Sequence, residues 1–212
     1  MPKVSFFANL AKGSLYIKAG KGKKNFDISP MSQATLTDEA LRYPIGKVQV
    51  PDTYTPELLA QYIADIKTLP ARLRAAVIQL NEGQLRTTYR PGGWTLKQVV
   101  HHLGDSHLNS LVRIKLALTE DNPTILPYDE PAWAEQADHQ LPIEASLKML
   151  EGIHLRLVAL YESLSDEQWD RTFYHPGAQK NYSLKFTAAL YAWHSNHHLA
   201  HITTTMKQWG LA

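Results

Sequence analysis

The chain has 212 residues, 44% of them hydrophobic and 20% charged, which fits an ordinary globular domain, and it holds no apolar run long enough to span a membrane. Cysteine is absent, which excludes disulfides, thiolate metal ligands and a cysteine nucleophile together, so any metal must be held by imidazole or carboxylate. The net charge of +2 is uneven: residues 1–30 carry six lysines against Asp27 alone, so the rest of the chain is net acidic and gives no electrostatic reason to expect nucleic acid. A cysteine-free chain is compatible with any compartment, and the cytoplasm is the expected one.

In chain order, residues 1–42 read as a basic, poorly ordered N-terminal extension, with Lys3, Lys12, Lys18, Lys21, Lys23 and Lys24 among glycines. "VSFFANL" is too short and poorly flanked for a secretory signal, and Met31 offers an alternative start. A domain of residues 43–212 follows. Its lead-in, 43–54, is expected to be extended, broken by Pro44, Gly46 and Pro51. Thr55 can cap a helix with Pro56 at its first position; apolar spacing continues to Leu80, and Pro70 is expected to kink it. "RPGGW" (90–94) breaks the chain, and Thr95 with Gln98 forms a capping box for a helix over about 96–119. Residues 121–142 hold four prolines and make a long crossover; a third helix is expected over about 143–164. Ser165 can cap the short turn "DEQW", "FYHPGAQKNY" reads as irregular, and Ser183 can cap a last helix over about 184–208, before Gly210. The expected fold is all-α: a four-helix bundle with a long crossover and an extended N-terminal segment.

The last helix carries His194, His197, His198 and His201 within "YAWHSNHHLAHI". On a helical wheel His194 and His198 form an i, i+4 pair on the flank of the buried stripe, close enough to share one ion; His201 lies beside them and His197 points furthest out. On the second helix, the buried stripe Leu96, Val99, Val100, Leu103, Leu111 and Ile114 contains His107, while His102 sits on its flank and His101 off it. Periodicity nominates His107 as the buried imidazole, with His102 as the alternative at a seam between helices. One histidine from a neighbouring helix against an i, i+4 pair is sufficient for a three-ligand zinc site with an open position.

The segments "YPIGKVQVP", "YRPGGWTLKQVVHHLGDSHLNSLVRIKLALTEDNPTILPYDEPAW", "FYHP" and "YAWHSNHHLAHI" resemble the DinB-like superfamily and, within it, the YfiT-type metal-dependent hydrolases, over residues 43–209. The resemblance implies a four-helix bundle binding one divalent ion per chain through three histidines, here His102, His194 and His198. Zinc is the expected ion and nickel the alternative. His107 and His201 then become groups behind the ligands, or the acid and base of the reaction. The resemblance also implies a homodimer acting on a small molecule. The choice of His102 comes from the resemblance, whereas the wheel prefers His107.

A three-histidine ion with an open position can activate water for hydrolysis, or bind a thiol for transfer to an electrophile. The expected function is a metal-dependent hydrolase, with a metal-dependent thiol S-transferase of the bacillithiol type as the alternative. Further candidates for proton transfer are Asp105, which the wheel turns toward solvent, and Glu130 in the crossover; Tyr128, Trp133, Tyr174 and His175 read as structural loop residues. A di-iron bundle is disfavoured, because Glu151 and His154 supply one E-x-x-H where two are needed.

Overall fold

The computed structural model describes residues 36–211 and two short strands nearer the N-terminus. The chain divides into two compact units, Met1–Leu36 and Thr37–Ala212. In the first, β1 (Phe6–Asn9) and β2 (Ser14–Ile17) pair antiparallel, with Phe6 opposite Ile17. The order expected of the remaining residues before Leu36 falls outside the described part.

The second unit begins six residues before the boundary expected after residue 42. Thr37 accepts a hydrogen bond from the Ala40 amide and caps the helix α1 (Asp38–Arg42), with Asp38 and Glu39 complementing its dipole. The lead-in that follows, 43–54, carries no strand.

Four long helices make the bundle: α2 (Pro56–Val77), α4 (Leu96–Thr119), α6 (Glu144–Glu162) and α8 (Leu184–Gln208). Thr55, Thr95 and Ser183 cap α2, α4 and α8 through their hydroxyls, and Thr95 and Gln98 complete the capping box. Short helices α3 (Glu82–Leu85), α5 (Glu130–Ala134) and α7 (Asp166–Trp169), with a 3₁₀ turn at Ala137–Gln140, punctuate the connections. The segment "FYHPGAQKNY", expected to be irregular, is instead regular. Strands β3 (Thr172–His175) and β4 (Lys180–Ser183) form an antiparallel hairpin, with His175 opposite Lys180. Pro176 and Gly177 occupy its turn, and Gln179 takes a positive φ of 53° there.

Helix α2 packs on α6 and α8, and α4 packs on the same two, so α4 lies directly against α8. The apolar core is in two parts. One contains Ile66, Leu111, Ile114, Leu157, Tyr161, Leu184 and Tyr191, the other Leu69, Leu73, Leu96, Val100, Leu103, Leu150 and Ile202. On α4 the break falls between Leu103 and Leu111, and on α8 between Ala192 and Ile202. His107 lies in the first interval and His194, His197, His198 and His201 in the second, so imidazoles sit where two apolar half-cores meet.

Candidate metal centre

The seam between α4 and α8 brings His102 to His194, Nε2 to Nε2, at 3.2 Å. His198 lies one turn beyond His194, and one ring nitrogen from each of the three falls within 4.8 Å of the others. His107, one and a half turns further along α4, places Nε2 3.2 Å from the other nitrogen of His194, Nδ1. The two α4 histidines that compete on the wheel therefore meet opposite sides of one ring: His102 stands in front of His194 and His107 behind it.

Hydrogen bonds set the proton positions of His198 and His201. His201 Nε2 lies 3.1 Å from the Arg42 carbonyl, an acceptor only, so it carries the proton and donates. That carbonyl ends α1, where the helix leaves its carbonyls without internal partners. In the neutral ring Nδ1 of His201 is then bare and accepts from Nδ1–H of His198 at 3.3 Å. The Nε2 of His198 is left with its lone pair free. Burial, the largest influence, holds these rings neutral: His102 is pushed down to about 3 and His201 to about 4, and His107, His194 and His198 lie well below the usual imidazole value.

The "YRPGGW" turn walls this cluster. Gly92 adopts φ 66°, the Gly93 amide donates to the Arg90 carbonyl, and the Tyr89 amide to the Trp94 carbonyl. The turn sets Tyr89 and Trp94 side by side. Tyr89 stacks on His201 at 4.0 Å between centroids, and Trp94 packs on His102 at 4.6 Å.

Residues 65–202 match the DinB superfamily profile. The chain belongs to the DinB superfamily. A protein of Oceanobacillus iheyensis, 48% identical over 79% of this chain and 96% of its own length, carries the name "Putative metal-dependent hydrolase", as does one from Bacillus cereus at 49% with the same coverage. YfiT from Bacillus subtilis, whose structure is described as that of "a probable metal-dependent hydrolase with an unusual four-helix bundle topology", is 44% identical, with a TM-score of 0.79 over 82% of this chain and 99% of that one.

The donor set of this DinB bundle fits a divalent ion on geometric grounds. Zinc–imidazole bonds of about 2.0–2.1 Å at tetrahedral angles place two ligand nitrogens about 3.3 Å apart. The His102–His194 separation of 3.2 Å has the length of such an edge, and the three rings are neutral, the form that binds metal. A second grouping, His197, His198 and His201, meets within the same 4.8 Å and shares His198 with the first.

Several expectations about individual residues change. His197 does not point out: it is buried, stacked on Trp193 at 4.3 Å. His101, off the wheel's stripe, is also buried, held by Ser146 Oγ at 2.7 Å and the Leu141 carbonyl at 3.1 Å. Asp105 is not solvated surface but accepts from His139 Nε2 at 2.8 Å, latching the crossover to α4. In each case the covering group comes from outside the residue's own helix or is a bulky neighbour, which a single-helix wheel does not include. Glu151 pairs with Arg74, and His154 bonds the Ile66 carbonyl, so the E-x-x-H serves packing.

Beside His194 opens a cavity of about 450 Å³, lined by Ser106, Arg113, Tyr128, Glu130, His175 and Tyr191 among others. Tyr128 and His175, read from sequence as structural, thus face this space. Arg113 was missed altogether. Its signal was available: 102, 106, 109 and 113 step along one face of α4 at helical spacing.

Proposed function

We propose that this protein is a metal-dependent hydrolase whose divalent ion is held by Nε2 of His102, His194 and His198. The observation that carries the reading is the 3.2 Å approach of two neutral imidazole nitrogens with a third alongside, one of the three, His194, lining a cavity sized for a small molecule. The names borne by its relatives support it. When bound, such an ion lowers the pKa of its water to about 7 and polarises a carbonyl.

The chain's own residues divide the remaining work. His201 and His107 touch the far nitrogens of His198 and His194, which suits orienting those rings better than exchanging protons with a substrate. Glu130 is the cavity's carboxyl group; desolvation pushes its pKa up and Arg113 pulls it back.

Elemental analysis of the purified protein, with His198→Ala beside it, tests the site. One zinc or nickel per chain in the wild type, little in the variant, and hydrolysis of simple esters or amides only by the loaded wild type are expected. A wild type that takes up no divalent ion at neutral pH removes the reading. Turnover confined to thiol–electrophile pairs replaces the hydrolase with the transferase.

A further inference from the structure

Arg113 is an unused cation. Arg72, Arg74, Arg90 and Arg171 each reach an acceptor, whereas Arg113 makes no hydrogen bond or ion pair among the described residues. Its Nε is buried and without a partner. A guanidinium brought partly out of water without an anion is unfavourable unless something supplies one. Its charge nevertheless faces the cavity: it acts on Glu130 and Tyr191 and pushes the His175 pKa down alongside burial. The Tyr128 hydroxyl, in the same lining, is also buried, with the Ser106 hydroxyl beside it but no partner at full hydrogen-bond length.

Resting on the hydrolase reading of the neighbouring histidines, we infer that Arg113 and Tyr128 form the recognition end of this cavity for a substrate bearing an oxyanion, a carboxylate or a phosphate, remote from the bond that reacts. The planar fork of arginine suits either anion, and a phenol O–H adds one donor. Eleven residues separate His102 from Arg113 on one face of α4, about 16 Å along the axis at 1.5 Å per residue. Both side chains lean toward the helix N-terminus, the longer arginine further, so the span stays of that order. The anion is therefore several bonds away from the reacting centre. Glu130 faces the same space but forms no ion pair with Arg113, so it opposes an anionic ligand without neutralising its receptor.

The test is calorimetric titration of the full chain, metal-free and zinc-loaded, with glutarate, inorganic phosphate and neutral glutaramide. Metal-free protein separates Arg113 from any anion binding to the ion. At least one of glutarate and phosphate binds, the tighter naming the anion, and glutaramide does not. Arg113→Gln weakens binding tenfold or more, Arg113→Lys weakens it less, and Glu130→Gln strengthens it. Absence of binding by both anions at millimolar concentration, equal binding of glutaramide, or affinities unchanged in Arg113→Gln and Arg113→Lys overturn the inference. Zinc uptake is measured on the same samples. Retained uptake with no anion binding sinks this inference alone, and Arg113-dependent anion binding without zinc uptake sinks only the hydrolase reading.

Discussion

The proton on His198 is placed by a residue that need not touch the ion. Arg42 carbonyl, His201 and His198 form a line in which each nitrogen has one role, and the lone pair delivered at His198 Nε2 is its result. Replacing His201 with phenylalanine preserves the ring that stacks on Tyr89 and removes both nitrogens. His198 can then place its proton on either nitrogen, and the tautomer suited to metal binding loses its bias. Losing such an orienting partner costs roughly 10- to 100-fold in metal affinity. Competition against a chelating dye should show that loss in His201→Phe with circular dichroism unchanged. An affinity equal to wild type means that the line does not orient His198.

Helix α2 illustrates how a sequence rule can be right while its consequence is absorbed elsewhere. Pro70 lacks the amide that would donate to the Ile66 carbonyl, yet α2 continues through it to Val77. His154 on α6 donates Nδ1–H to that carbonyl at 2.5 Å, so the proline's missing bond is supplied by another helix. His154→Leu should destabilise the protein by about 1–3 kcal/mol, the cost of an unsatisfied buried acceptor. Adding Pro70→Ala restores an amide donor, so the double variant should recover much of that loss; urea denaturation of the two singles and the double measures the coupling. Simple additivity means that His154 does not compensate for Pro70. The same contrast governs what was legible. Caps and apolar spacing are local, so Thr55, Thr95 and Ser183 placed three of the long helices within a few residues. The β3–β4 hairpin was obscured because its turn residues, Pro176 and Gly177, look like a loop when the flanking strands are short. The convergence of His102 with His194 depends on α4 lying against α8, a tertiary fact; motif resemblance anticipated it and periodicity pointed to His107 instead.

Across the whole bundle, a polar stratum between two apolar half-cores makes stability depend on protons. His102, His107 and His154 are buried, and burial holds all three below the ordinary imidazole value, His102 to about 3 and His154 to about 4. In the unfolded chain the same residues titrate near 6.5. Between those limits the unfolded state binds protons that the folded state does not, so acid favours unfolding. Their contribution is complete above about pH 7 and is lost as pH falls through 6.5, until the folded rings themselves protonate near 4 and below. Each such histidine adds a slope of up to about 1.4 kcal/mol per pH unit within that window. Urea midpoints of metal-free protein at pH 8, 7, 6 and 5 should be nearly level over the first two and fall progressively over the last two. A bound divalent ion would add to the steepness: an ion that binds only the folded, deprotonated cluster stabilises by mass action and is expelled by the same acid. Loaded protein should therefore exceed metal-free protein in stability at pH 7 and converge with it near pH 5. Midpoints of metal-free protein that do not move between pH 7 and 5 mean that these imidazoles are not held neutral by the fold.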